Sequence, residues 1–353
     1  MYDIGIIGAG PAGATLARLL SDRYRVILLD SGREKCCGGL FHPRAEAALA
    51  KLDTALPKSI LCEPQPHAVT VMDLDNHLVR NYDRRYINLD RAALDRWLLS
   101  LVPQSVDVRN NAIYKKSEIK NDRLILHFEE KGEPMAAQVC WLIGADGASS
   151  TVRREFFSGV PMPNRYIAVQ HWFEQNAVSV EPKFAVDPWN NYIGIFDSAL
   201  TDFYIWMIPK HSQLILGGAF PWGTNVSRNI ETVKEKMESL GLKLGMPFKR
   251  EAGQILRPLR QSSYCFGDTR TILVGEAAGL IGPNSAEGIS CALCSALYLA
   301  KSFRQSGFDP SLYRCLHRKL LWSFWLKSFR IPPMFNPLLR KYVMLSGIAT
   351  RRC

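Results

Sequence analysis

The segment that most constrains the fold is Gly8-Ala9-Gly10-Pro11-Ala12-Gly13. It follows an apolar run, Asp3 to Gly8, and opens a stretch of helical periodicity that reaches about Ser21. Arg25 to Asp30 is a second run rich in Val, Ile and Leu, and it ends on an acid. Buried strand, glycine turn, helix, buried strand and acid, in that order, predict a β-α-β unit in a parallel sheet covered by helices. In such a unit the glycines permit a tight turn and let the backbone approach a pyrophosphate, which rests on the positive helix N-terminus. Asp30, with Ser31 after it, is placed to hold the hydroxyls of an adenosine ribose. Gly8, Gly10, Pro11, Ala12, Gly13, Asp30 and Ser31 are therefore the candidate dinucleotide contacts. The motif by itself does not separate a nicotinamide from a flavin dinucleotide.

A chain of 353 residues, 47% hydrophobic and 22% charged, has room for a second domain and the make-up of a folded protein. Tyr166 to Phe220 is dominated by aromatic and β-branched runs with turn signals such as Asp187-Pro188-Trp189-Asn190-Asn191, which predicts an antiparallel sheet. Helical spacing recurs at Pro43–Leu52, Arg91–Leu101, Ile230–Leu240 and Ala286–Phe303. Strand-like patterns occupy Val69–Met72, Leu124–Phe128, Val139–Ile143 and Thr271–Val274. The cysteines are nine, an odd number, in a chain too large to need disulfide staples, so free thiols in a reducing compartment are expected. No spacing resembles a metal site. The N-terminus lacks the basic stretch and cleavable apolar region of a signal peptide, and no segment is long and apolar enough to span a bilayer. A cytoplasmic location, with peripheral contact at the inner face of a membrane, is the expectation.

That contact is suggested by charge. The net charge of +11 is concentrated after Asp309, where no acid follows. Arg314, Arg318, Lys319, Lys327, Arg330, Arg340, Lys341, Arg351 and Arg352 are interleaved there with Trp322, Phe324, Trp325, Phe329 and Phe335. An anionic membrane surface suits this composition. The plainer alternative is that the aromatics pack on the preceding domain and the bases face solvent. Nucleic acid is not expected, because no nucleic-acid motif accompanies the charge.

Two further segments separate the cofactors. Leu142-Ile143-Gly144-Ala145-Asp146-Gly147 is followed by Val152-Arg153. Ile272-Leu273-Val274-Gly275-Glu276-Ala277-Ala278-Gly279 is followed by Pro283 and Glu287-Gly288-Ile289. These resemble the Asp-Gly and Gly-Asp fingerprints of the FAD-dependent hydroxylase and geranylgeranyl reductase superfamily. The resemblance implies non-covalent FAD, with Asp146 and Gly147 at the cofactor and Glu276, in place of the usual Asp, on the ribityl chain. It places Pro283, Gly288 and Ile289 at the flavin ring, and it gives Arg91, at a helix start, a cofactor contact. Lys35-Cys36-Cys37-Gly38-Gly39 looks like the Lys-x-Cys-Gly-Gly segment of geranylgeranyl reductases, which puts Cys37 and Gly38 beside the flavin. Tyr204-Ile205-Trp206-Met207-Ile208-Pro209 is similar to their Tyr-x-Trp-x-Phe-Pro motif, so Tyr204, Trp206 and Ile208 are candidate substrate contacts. Arg80-Asn81-Tyr82 and the Gly-Glu-Ala-Ala-Gly variant resemble a short bacterial branch of that family.

The implied fold is α/β: a glutathione-reductase-like, Rossmann-type FAD domain with an inserted, mainly antiparallel β substrate domain and a C-terminal helical tail. The expected FAD domain is discontinuous, at 1–60, 86–158 and 262–309. The substrate domain takes 61–85 and 159–261, and a basic helical segment takes 310–353. The implied activity is reduction of carbon–carbon double bonds in an apolar, isoprenoid-like or lipid substrate by hydride from reduced flavin. Cys37 is the candidate catalytic thiol, against the plainer role of a small buried residue in a turn. Alternating Tyr204, Trp206 and Ile208 equally suit a sheet packing on its own core. A flavin monooxygenase is the first alternative function. A flavin-bearing redox sensor or electron carrier is the second. No second nucleotide domain is encoded, so NADPH, ferredoxin or flavodoxin remain as electron donors. The oligomeric state is left open, and a monomer is compatible with it.

Overall fold

The computed structural model describes residues 1–66, 68–121, 123–304 and 307–348, so Arg351 and Arg352 lie outside the described residues. The N-terminal strand Ile4–Ile7 is wholly buried. It pairs in parallel with Val26–Asp30 on one side and with Trp141–Gly144 on the other. Thr271–Leu273 and Asp107–Asn110 extend the sheet, also in parallel, at its two edges. Helices Pro11–Leu20 and Ile289–Ser302 cover one face, where Leu16, Leu20, Ala296 and Leu299 meet Ile6, Leu28, Ile143 and Ile272 in one core. The opposite face is covered by a three-stranded antiparallel sheet of Ala112–Lys120, Arg123–Glu130 and Glu133–Val139. Its alternating Leu124, Leu126 and Phe128 pack on Ile7, Ile27 and Leu29. The two sheets approach closely at Gly5, where an added Cβ would sit 2.5 Å from Leu126 Cδ1.

The apolar run Val139–Ile143, read from sequence as one strand, is two. Glu133–Val139 closes the antiparallel sheet and Trp141–Gly144 enters the parallel one. The Asp3 carbonyl accepts from both Cys140 N–H and Trp141 N–H, each at 3.0 Å, and so pins the crossing point. Val139 at the end of the first strand and Leu142 and Ile143 in the second are buried, and no Gly or Pro marks the junction, so hydrophobicity gives no sign of the break.

A seven-stranded sheet forms the other half. Its order is Lys249–Arg257, Asn164–Glu174, Gln213–Pro221, Ile205–Lys210, Tyr192–Phe196, Val69–Asp73 and Leu78–Tyr82. All pairs are antiparallel except Tyr192–Phe196 with Val69–Asp73. Helix Val226–Ser239 covers one face through Ile230, Val233 and Met237. The other face turns toward the parallel-sheet half and carries Tyr166, Trp206, Ile208 and Ile255.

The helix expected from Ala286 begins at Ile289. Ala286 adopts φ +50°, a left-handed conformation that a helix cannot continue through, and Gly288 becomes the cap. The tail folds as helices Pro310–Ser328, Ile331–Phe335 and Pro337–Leu345. It is divided between inside and outside. Tyr313, His317 and Phe324 are buried, and Phe335 packs on Phe203 with ring centroids 5.5 Å apart. Arg340 is buried in an ion pair with Asp73 at 2.9 Å and with Asp75. Arg340 and half-buried Lys327 therefore leave the group of solvent-facing bases anticipated from sequence. Among the described residues no helix is long and apolar enough to cross a membrane.

Candidate active site

The strand order places the expected cofactor residues along the carboxyl edge of the parallel sheet, as Glu276, Asp146, Gly8–Gly10 and Asp30 in turn. This edge is where ligands bind in open α/β sheets. Gly8 holds φ +100°, and a Cβ on Gly13 would lie 1.8 Å from the Gly8 carbonyl oxygen, so only glycine fits there. At Gly10 a Cβ would meet no atom within 4 Å, leaving open space before the helix. Gly10 caps that helix with no side-chain hydrogen bond, whereas Asp90, Ser150 and Asn225 each cap theirs with a side-chain oxygen. The first N–H groups of Pro11–Leu20 and the helix dipole are thus available to an anion. Asp30 ends its strand with Oδ1 accepting from Gly32 N–H at 3.1 Å, and exposed Ser31 follows.

Asp146 Oδ2 accepts from Thr151 N–H at 2.7 Å and Val152 N–H at 3.2 Å. Its Oδ1 is buried without a partner among the described residues, and burial raises the carboxyl pKa. Gly147 follows at φ +73° with open space at its Cβ position. Glu276 is buried, with Oε1 accepting from Leu256 N–H at 3.0 Å and Oε2 meeting the Lys35 ammonium. Buried Arg153 donates to the Ala277 and Ser263 carbonyls at 3.1 and 2.7 Å and so clamps the Glu276 turn. The Pro283 carbonyl accepts from Arg257 Nε at 3.1 Å. Gly288 caps the helix that begins at Ile289, again without a side-chain bond. Two uncapped helix starts, an orphaned carboxylate oxygen and an acid at each end of the array fit FAD.

The Cys37 turn and the Tyr204–Pro209 segment, far apart in sequence, come together. Tyr204 lies just before strand Ile205–Lys210, and from it Trp206 and Ile208 face the Cys37 turn while Ile205 and Met207 enter the opposite core. A Cβ on Gly38 would sit 2.4 Å from Ile208 Cδ1. Gln170 Oε1 accepts from both Gly38 N–H at 3.0 Å and Trp206 Nε1–H at 3.2 Å in the amide orientation that satisfies both. Gly217 makes room for the indole, since its Cβ would lie 2.5 Å from Trp206 Nε1. Tyr204 meets Trp206 edge-on at 5.6 Å and donates to the Ser285 carbonyl at 2.8 Å. It thereby ties the strand to the loop that precedes Gly288.

The paired cysteines differ. Cys36 is buried against the Ala168 carbonyl, and burial pushes its thiol up to about 12. Cys37 is half-buried and lies beside Arg91, whose guanidinium is held bidentately by Asp95 at 2.9 and 3.0 Å.

Sequence reasoning missed three features. Gln170 has no local signal, although the Gly217-Gly218 pair within a strand marks close approach. Lys210 is 4% exposed, donates to Asn88 Oδ1 and the Leu89 carbonyl at 2.5 and 2.7 Å, and has no carboxylate partner among the described residues. Burial pushes its ammonium down to about 8. His42 has Nδ1 3.6 Å from Glu287 Oε1, and Lys327 Nζ lies 3.7 Å from Glu287 Oε2. These partners come from three distant segments that no sequence spacing connects.

No protein-family model matches the chain. Among solved structures, the fold is similar to a geranylgeranyl bacteriochlorophyll reductase-like protein of Thermoplasma acidophilum. The TM-score is 0.76 at 18% identity, covering 96% of this chain and 90% of that one. It is also similar to PqsL of Pseudomonas aeruginosa, described as a probable FAD-dependent monooxygenase, with a TM-score of 0.69 at 16% identity over 98% of this chain and 99% of that one. The architecture is thus that of the FAD-binding Rossmann-type flavoproteins, with a parallel sheet and an antiparallel insert. In sequence the chain is 36% identical to protein CbrA of Escherichia coli O6:H1, over 99% of this chain and 94% of that protein. On that identity and coverage, the chain belongs to the CbrA family.

Proposed function

We propose that the protein is an FAD-dependent oxidoreductase that reduces carbon–carbon double bonds in an apolar, isoprenoid-like or lipid substrate. The observation that carries this reading is the meeting of the Cys37-Gly38 turn with Tyr204, Trp206 and Ile208 beside the cofactor array. When bound and reduced, FAD supplies the hydride. The chain does the rest. Gly10 and Gly288 offer open helix starts to the cofactor, and the Tyr204–Trp206 wall gives an apolar chain a face to lie on and keeps water out. Arg91, fixed by Asp95, lies beside the Cys37 thiol and limits where it can turn.

The test begins with the cofactor. Purified protein should be yellow, and acid should release flavin that runs as FAD. Gly13→Val should fail to fold the turn, whereas Gly10→Ala should fold yet lose most FAD, because its methyl group enters space no protein atom fills. FMN, or flavin left covalently in the pellet, contradicts the proposal. The anaerobically reduced protein should be reoxidised by a polyprenyl substrate, which gains two hydrogen atoms per double bond reduced. NADPH and ferredoxin are the donors to try for turnover. The fold shared with PqsL makes a monooxygenase the second reading. Oxygen uptake coupled to a hydroxylated product would select it.

A further inference from the structure

We propose that the outer face of the C-terminal helices is a docking surface for an anionic lipid bilayer. Helix Pro310–Ser328 presents Trp322, Trp325 and Leu326, and Phe329 caps its end. These positions recur at helical spacing and form one stripe. The stripe is continuous, since Trp322 and Trp325, and Trp325 and Phe329, each have ring centroids 4.7 Å apart. It is also uncovered, with Trp322 60% and Phe329 62% exposed. Helix Pro337–Leu345 adds Leu338, Leu339, Tyr342 and Leu345, all exposed.

Charge decides what covers this face. Arg314, Arg318, Lys319, Arg330 and Lys341 are exposed, and none forms an ion pair among the described residues. No acid follows Asp309 to offset them. Indole, phenol and aliphatic side chains flanked by unpaired bases match the headgroup boundary of an anionic leaflet. A second copy of the same face would set bases against bases across a two-fold axis. Nucleic acid would leave the aliphatic Leu326, Leu338 and Leu345 without a use.

The face also adjoins the candidate active site. Asn284 Nδ2 donates to the Lys327 carbonyl at 2.9 Å, and Lys327 meets Glu287 in the loop before Gly288. Phe335, from the short helix between the two exposed ones, packs on Phe203 next to Tyr204. A bilayer touching Trp325 and Phe329 thus lies beside the aromatic wall.

Removing the tail is not a usable test, because Phe324, His317 and Arg340 belong to the folded interior. The full-length protein is instead sedimented with phosphatidylcholine vesicles, with and without phosphatidylglycerol, across a salt series. Binding should require phosphatidylglycerol and fall with salt. Arg318→Gln with Lys319→Gln should weaken it about 25-fold, at about fivefold per base. Trp325→Ser with Phe329→Ser should weaken it about tenfold or more. Both variants should keep their circular dichroism, and their flavin content where the parent has flavin. If the aromatic pair fails to fold, Leu338→Ser with Tyr342→Ser on the other helix takes its place. Equal binding to neutral vesicles, or binding unchanged in the variants, overturns the proposal. So does a dimer that the same substitutions dissociate, or retention on RNA or DNA without vesicle binding. None of these readouts depends on the proposed reaction.

Discussion

Cys36 and Cys37 are adjacent in sequence and opposite in setting. One thiol is sealed beneath the seven-stranded sheet, and the other lies beside Arg91 at the meeting point of the two site segments. Cys37→Ser should keep the fold and the bound flavin and lower turnover by about tenfold or more, since small displacements at a reacting centre are costly. Cys36→Ser buries a hydroxyl in place of a thiol and should lower stability by about 1–3 kcal/mol, read by urea denaturation, with turnover nearly unchanged. Equal effects of the two substitutions on turnover would return Cys37 to a structural role. The glycines make a similar contrast. Gly13 is dictated by the protein's own backbone, whereas nothing in the protein requires Gly10, whose open side is the space the proposed cofactor would take.

The tail helix Pro310–Ser328 is held down by a buried histidine. His317 is enclosed by Phe266, Tyr298 and Tyr313, and its Nδ1 lies 2.9 Å from the Tyr313 carbonyl. Burial pushes its pKa down to about 4 from an ordinary 6.5. Between those values the unfolded chain binds the proton and the folded chain does not, so stability falls as pH drops from 6.5 toward 4. The loss should approach about 3 kcal/mol over that window, with a slope of at most about 1.4 kcal/mol per pH unit. Urea midpoints measured at neutral and acid pH should show it, and His317→Phe should flatten the profile there. A profile identical in the variant would mean that other groups carry the acid sensitivity. At the other end of the tail, Arg340 between Asp73 and Asp75 fastens the last helix to the edge of the seven-stranded sheet.

At the scale of the molecule, local order was readable and long-range pairing was not. The β-α-β opening follows from residues within one short stretch, and its strand and helix ends fall within a residue or so of those expected. The glycine turn, the acid at Asp30 and the carboxyl-edge array follow from the same physics of strands ending at helix starts. The Val139–Ile143 break was hidden because burial makes two different strands look like one. Gln170, Lys210 and the His42–Glu287–Lys327 cluster were hidden because each needs partners more than a hundred residues away, at least on one side. The division of the tail into inner and outer faces was likewise beyond composition, since Arg340 and Arg330 are chemically alike and only one meets an acid.

The interleaving of the parallel sheet has a consequence for biosynthesis. Its innermost strand, Ile4–Ile7, leaves the ribosome before the other strands of the sheet, but one of its two neighbours is Trp141–Gly144 and the covering helix ends at Ser302. The nucleotide cradle is therefore half-built through most of translation, and contacts of such separation form slowly. Ribosome-bound chains stalled before residue 289 should not retain FAD, whereas chains with the whole sequence clear of the exit tunnel should. Flavin retention by the short chains would show that the first β-α-β unit suffices. On the expected outcome, FAD enters as a late event, and a cell short of the flavin would accumulate a finished but more easily degraded polypeptide.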